Sequence, residues 1–263
     1  MQERHLKKRL EPIITAAKKI REREHLDAEI LETLTHPQKA FEQVNVDTSS
    51  NSRVELVVIG GCTGGTQALF SLVGALPGNL EIPVVIVQHL PRIYTSYLSQ
   101  KLNSVSDVSV REVQDGVPLD SGGVWIAPGG YQCEVGLSGY QKVLRTHRGM
   151  RENNMRPSID ILFRSAAKVF AKKTMGILLS GYGYDGLSGA EDIRNAGGQI
   201  LVQDPRTAVA SELPLAVIRN GLSREYFSPE GLARQIMQRV SRSVESEALE
   251  AESGAAAGKS LVF

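Results

Sequence analysis

Cysteine is nearly absent: the 263 residues include two, Cys62 and Cys133. Two cysteines make no disulfide scaffold, and their scarcity points to a reducing, cytoplasmic setting. Long apolar runs are missing as well. The longest are strand-sized, as at 83–87, far short of the roughly 20 residues a membrane-spanning helix needs. The opening MQERHLKKRLEPII has no apolar run after its charges, so no signal peptide is expected. Charge of one sign is not in excess. A net charge of +1 gives no global field to draw nucleic acid or an anionic membrane. Neither C-x-x-C nor H-x-x-x-H spacing occurs, so a metal centre has little support. No cofactor is expected.

The remaining composition is that of a soluble globular protein, with 41% hydrophobic and 22% charged residues. Residues 1–50 are charged and contain no glycine. Leu6, Leu10, Ile13, Ile14, Ala17 and Ile20 recur at helical spacing, as do Leu26, Ile30, Leu31 and Leu34. One or two amphipathic helices are expected, with Pro12 as a kink or restart. The segment 44–52 is a polar linker. The tail, 241–263, is acidic and then rich in small residues, which suits a flexible end. It holds a decoy: Gly254 and Gly258-Lys259-Ser260 resemble a phosphate loop. The spacing is one residue short and no strand precedes it.

Between these lies a core domain, 51–240. Strands are expected at 54–59, 83–88, 108–112, 124–126, 142–145, 175–179 and 199–203. Helices are expected at 66–76, 94–102, 157–170, 186–196 and 214–220. Continuous apolar strands alternating with helices predict an α/β fold. Its sheet is doubly wound and mostly parallel, in three αβα layers. The short strands around 108–145 suggest an antiparallel extension on one edge.

Three loops carry candidate chemistry, each just past an apolar strand. The first is Gly60-Gly61-Cys62-Thr63-Gly64-Gly65, followed by a helix pattern. Its G-x-C-x-G core has the form of a nucleophile elbow with sulfur as the nucleophile. Small neighbours permit a sharp strand-to-helix turn that lifts the middle side chain. The helix N-terminus then favours a thiolate, and its first amides can face an oxyanion. Two plainer explanations stay open: a dinucleotide fingerprint, although Cys62 stands where a glycine is needed, and a turn around an inert buried cysteine. The second loop carries His89, the only one of five histidines at a strand end. The third, in LLSGYGYDG, carries Asp185, which alone would also suit a turn or helix cap. Together Cys62, His89 and Asp185 form a nucleophile–base–orienter set. The same three side chains are also conceivable zinc ligands. The thiol is expected to titrate below about 7.5.

Seven ordered segments across 53–238 resemble the catalytic domain of the chemotaxis protein-glutamate methylesterases, the CheB family. They are VVIGGCTGGTQAL, PVVIVQHLP, VQDGVPLDSGGVWIAPGG, RPSIDILFRSAA, GILLSGYGYDG, GGQILVQDP and ELPLAVIRNG. The resemblance implies hydrolysis of γ-glutamyl methyl esters on chemoreceptor cytoplasmic domains, with possible deamidation of glutamines. It implies methyl-accepting chemotaxis receptors as partners, with no nucleic acid and no membrane insertion. The family's serine falls on Cys62, its histidine on His89, its aspartate on Asp185 and its threonine on Thr63. A methionine near the family's oxyanion site is Tyr182 here, and Gln132 stands near a position where many members have histidine. The expected catalytic set is therefore Cys62, His89 and Asp185. Thr63, Gly64, Gly65, Tyr182 and Gly183 are expected around the oxyanion and substrate. The family's receiver domain has no counterpart in residues 1–50, so phosphorylation control within this chain is not expected. The alternative expectation is a weakened or inactive relative that still binds receptors.

Overall fold

The computed structural model describes residues 53–119 and 122–240. The expected N-terminal helices, the linker and the tail lie outside the described residues.

The centre is β1 (Leu56–Gly61), a strand buried at every position. Its side chains alternate between two cores, as a strand's period of two requires. Val57 and Ile59 enter one core, and Leu56 and Val58 the other. The first core is covered by α1 (Gly65–Gly74) and α2 (Arg92–Val105), with Leu69, Leu72, Leu98 and Leu102 facing in. A helix over 229–240 adds Leu232 and Ile236. The second core is covered by α3 (Ile159–Phe170), α4 (Leu187–Asn195) and α5 (Glu212–Arg219). In α3, Ile159, Leu162, Phe163, Ala166, Ala167 and Phe170 are buried, the spacing of a wide apolar stripe. Each fully buried large side chain contributes about 1.5–3 kcal/mol. This is the three-layer arrangement expected from the alternating pattern.

The main sheet runs β10-β9-β8-β1-β2-β5-β3, and every pairing is parallel. The strands are β2 (Pro83–Gln88), β3 (Val110–Glu112), β5 (Gly123–Ile126), β8 (Thr174–Leu178), β9 (Gln199–Gln203) and β10 (Tyr226–Phe227). Strand order reverses beside β1. The chain builds outward through β2 on one side, then returns to place β8 on the other. Loops at the carboxyl ends of β1 and β8 therefore flank a crevice, the usual binding position in an open α/β sheet.

The expected antiparallel extension is present, as a small sheet of its own within 117–147. The segments at 110–112 and 123–126 are parallel members of the main sheet. The separate antiparallel sheet is β4 (Val117–Pro118), β7 (Gln141–His147) and β6 (Gln132–Ser138). The expected strand at 142–145 is the middle of β7. Its partner β6 is half exposed at its far end, with burial fading from Gln132 to Ser138. That gradient dilutes the apolar alternation that would mark a strand.

Candidate active site

The turn after β1 is set by close approach. A Cβ on Gly60 would lie 2.4 Å from Ile159 Cγ2, and one on Gly61 would lie 2.6 Å from Gln88 Oε1. Gly64 caps α1 at φ 81°, a conformation that suits glycine. Between them Cys62 is partly buried. Its amide donates to the Ser180 carbonyl at 3.0 Å, and its carbonyl accepts from Gln88 Nε2 at 2.7 Å. The strand end is thus tied to both neighbours in the sheet. Ser180 Oγ donates to the Thr63 carbonyl at 2.7 Å and accepts the Ala210 amide at 2.9 Å. This fixes the turn against the loop before α5.

His89 follows β2, its amide bonded to the Gly61 carbonyl at 3.0 Å. Its Nε2 is 2.8 Å from Asp185 Oδ2, with side chains 8% and 4% exposed. The other ring nitrogen, Nδ1, is buried and has no hydrogen-bond partner. No hydrogen bond of regular geometry joins it to Cys62. The imidazole is nevertheless close enough to act electrostatically on the thiol. Interaction with His89 lowers the Cys62 pKa to about 7, against the opposing effect of burial, and Thr63 assists. Burial pushes His89 downward, but Asp185 and Cys62 outweigh it and raise the imidazole to about 9. Between these values the favoured pair is thiolate and imidazolium, the ordering that an activated cysteine requires.

Asp185 is held by far more than His89. Ser158 Oγ donates to Oδ1 at 2.7 Å, Asn153 Nδ2 donates to Oδ1 at 2.9 Å, and the Ile159 amide donates to Oδ2 at 2.7 Å. The carboxylate therefore caps α3 from outside the helix, where the positive end of the dipole favours an anion. Burial opposes ionisation, yet His89 and these donors hold the Asp185 pKa below the usual carboxylate value. The neighbouring Asp160 is pushed the other way, by burial and then by the charge of Asp185. It accepts the Gly189 amide at 2.7 Å and Asn153 Nδ2 at 2.6 Å.

The structure brings Cys62, His89 and Asp185 into one crevice. Thr63 and Gly64 share the Cys62 turn. The Gly65 amide donates to the Cys62 carbonyl at 3.0 Å. Tyr182 and Gly183 lie on the loop of Gly181, where an added Cβ would stand 2.8 Å from Cys62 Cβ. Tyr182 is 59% exposed. Among the described residues no cluster of three or more His, Cys, Asp or Glu side chains is arranged to hold a metal ion. No described helix is long and apolar enough to cross a membrane.

Several residues that build the site were not singled out by sequence: Gln88, Asn153, Ser158 and the structural part of Gln132. Gln132 is fully buried. Its Oε1 accepts the Ser158 amide at 2.8 Å, and its Nε2 donates to the Met150 carbonyl at 2.9 Å and the Met155 carbonyl at 3.2 Å. It ties the 148–158 loop to the residue that holds Asp185. The Asn153-Asn154 pair, both left-handed at φ 50° and 61°, was the available signal, since asparagine tolerates that region and often marks a built loop.

Comparison with known proteins agrees with the fold. Residues 57–236 match the family described as CheB methylesterase. A protein-glutamate methylesterase/protein-glutamine glutaminase of Trichodesmium erythraeum is 39% identical over 188 residues, covering 72% of this chain and 53% of the relative. One from Vibrio vulnificus is 36% identical over 193 residues, covering 73% and 51%. The chain spans about half the length of the curated relatives it matches. The crystal structure of the Thermotoga maritima CheB methylesterase catalytic domain superposes with a TM-score of 0.69 at 30% identity. That match covers 71% of this chain and 99% of the other.

Proposed function

Because this chain belongs to the CheB methylesterase family, we propose that it hydrolyses γ-glutamyl methyl esters on chemoreceptor cytoplasmic domains through a Cys62-His89-Asp185 triad. The reading includes deamidation of glutamines at the same site. The supporting observation is the His89–Asp185 pair at 2.8 Å beside a thiol lowered to about 7.

In this mechanism the Cys62 thiolate attacks the ester carbonyl. The amides of Thr63 and Gly64, at the start of α1, face the oxyanion, where one donor is worth roughly 3 kcal/mol. The His89 imidazolium gives its proton to the leaving methoxide, which departs as methanol and leaves a thioester on Cys62. Neutral His89 then takes a proton from water, and the hydroxide adds to the thioester. Collapse releases the glutamate and returns the thiolate–imidazolium pair. Asp185 stays ionised and holds the ring with Nδ1 toward the thiol side. With glutamine as substrate the same steps release ammonia.

The test is methanol release from methylated receptor fragments. Cys62→Ala is expected to lose it by a factor of at least about 10³. Unchanged turnover in that variant would remove Cys62 from the mechanism. A second reading, a weakened esterase that binds receptors, draws on the sulfur in a family site that the resemblance assigns to serine. It predicts receptor binding without methanol release and a gain of activity in Cys62→Ser. Ammonia measured against methanol on the same peptides separates deamidation from ester hydrolysis.

A further inference from the structure

Beside His89 two arginines converge on one tyrosine. Arg92 opens α2, three residues past His89, and its Nη1 donates to Tyr131 Oη at 3.4 Å. Arg148, on the loop after β7, donates from Nη2 to the same oxygen at 3.1 Å. Both guanidinium groups also lie over the Tyr131 ring, at 5.3 and 5.0 Å from its centre. The backbone forces this meeting. A Cβ on Gly129 would sit 2.4 Å from the Arg92 nitrogen and the Leu90 carbonyl oxygen, so the loop carrying Tyr131 packs directly on the turn that follows His89.

The arrangement is electrostatically incomplete. Neither arginine pairs with a carboxylate among the described residues, and both are exposed. Two acids of the adjoining strands have partners of their own: Glu134 pairs with His147 at 3.5 Å, and Glu112 accepts from Thr95 at 2.8 Å. Arg92 also stands at a helix N-terminus with no acidic residue in the first turn, where a cation is disfavoured. Two like charges and a helix dipole thus share one small area, and among the described residues the side-chain acceptor they meet is a phenol oxygen. Arg148 and Arg92 together hold that phenol below its usual pKa. The loop is not free to relieve the repulsion. Gln132 and Arg156 hold the carbonyls of Met150 and Gly149 at 2.9 and 3.0 Å.

Along α2 the exposed side continues with Tyr94, Tyr97 and Lys101, at 94, 97 and 101. The two tyrosines are 57% and 58% exposed, and Lys101 Nζ lies 5.5 Å from the Tyr97 ring centre. That spacing marks one helical stripe. It is basic and aromatic, a surface suited to an amphipathic helix with carboxylates on it.

We propose that Arg92, Tyr131 and Arg148 form a carboxylate-reading clamp at the mouth of the crevice, selecting target glutamyl groups that lie among acidic residues on a partner's helix. Arginine is suited to this task because its planar fork matches a carboxylate in two hydrogen bonds. The identity of the target rests on the esterase reading; recognition of the acidic helix does not.

The experiment compares two helical peptides carrying the same central glutamyl methyl ester, one flanked by glutamates and one by lysines. With the full chain the acid-flanked peptide is expected to show a kcat/KM higher by about tenfold, the yield of two or three surface charge pairs. The ratio is expected to fall toward unity at about 0.5 M salt, where charges beyond a few ångströms are screened. Arg92→Glu with Arg148→Glu is expected to invert the preference. A ratio near unity in the unaltered chain, or one unmoved by the double reversal, overturns the clamp. If neither peptide is turned over, the esterase reading fails, and the clamp is then judged by fluorescence anisotropy with the same peptides left unesterified. Preferential binding of the acidic one, lost on reversal, supports it; equal binding of both refutes it. Should the reversal unfold the protein, as circular dichroism would report, Arg92→Gln with Arg148→Gln is expected to flatten the ratio instead of inverting it, and an unchanged ratio again refutes the clamp.

Discussion

His89 and Asp185 meet at 2.8 Å through Nε2 and Oδ2, while the opposite nitrogen of the same ring is buried without a partner. The pairing fixes which nitrogen carries the bound proton. A ring donating from Nε2 to the carboxylate leaves Nδ1 as the face available to the thiol and to a leaving group. Because Asp185 is itself anchored by α3, the ring's orientation is set by a helix terminus rather than by a mobile loop.

The pH profile follows from the two titrations. The thiol must lose its proton, so hydrolysis is expected to fall as pH drops through about 7. The imidazole must keep its proton to serve the leaving group, so hydrolysis is expected to fall as pH rises through about 9. A bell between these limits is expected in kcat/KM. Iodoacetamide alkylation reports the lower limb alone and is expected to have its midpoint near 7. An alkylation midpoint near 9, the ordinary thiol value, would show that the thiol and His89 are uncoupled.

Asp185→Asn tests the anchor. The amide puts a donor where donors already converge from Ser158, Asn153 and Ile159. His89 loses the charge that raises it, so its pKa is expected to move down and the thiol's up. Turnover is expected to drop by about 10³–10⁴, and stability by about 2–4 kcal/mol at neutral pH. The sign with pH is definite. A carboxylate depressed below its unfolded value of 3.8 contributes stability above that value, and this is lost as pH falls through the folded-state pKa. The variant is expected to lack that acid-side phase in urea melts taken from pH 2 to 6; an unchanged phase would assign it to other carboxylates.

Much of this site was legible because strand ends are. Buried parallel strands are continuous apolar runs, and 83–88 and 199–203 are bounded in the structure where the sequence places them. Cys62, His89 and Asp185 each follow such a run, so their convergence was open to inference. The supports were not. Gln132, Ser158 and Asn153 act across 26 to 32 residues of chain, and no local periodicity encodes a contact of that kind. How the short strand at 110–112 pairs was not legible for a related reason. Three residues at 110–112 carry too little pattern to reveal whether the neighbouring strand runs parallel or antiparallel.

Gln132→Ala isolates one of those supports. Removing the side chain leaves the buried Ser158 amide and two loop carbonyls without their partner, at a cost of about 1–3 kcal/mol. Ser158 also donates to Asp185, so the loss is expected to reach the triad. The expected signature is a lower kcat with an alkylation midpoint shifted above 7, alongside a reduced melting temperature. Destabilisation with an unmoved midpoint would confine Gln132 to packing.

Gly181→Ala tests how tightly the crevice is closed around the nucleophile. The new methyl would stand 2.8 Å from Cys62 Cβ and 3.2 Å from Leu213 Cδ2. Cys62 Cβ is next to the backbone and cannot swing aside as a side-chain tip can, so the turn itself must shift. Such overpacking costs about 1–3 kcal/mol, and a displacement of about 1 Å at the nucleophile is enough to lower turnover about a hundredfold. Gly74→Ala serves as the contrast. That glycine lies in α1 with nothing within 4 Å of an added Cβ, so alanine is expected to raise stability by about 0.5–1 kcal/mol and leave turnover intact. If both variants keep full methanol release, the loop after β8 has room to yield, and Gly181 is not what confines the sulfur.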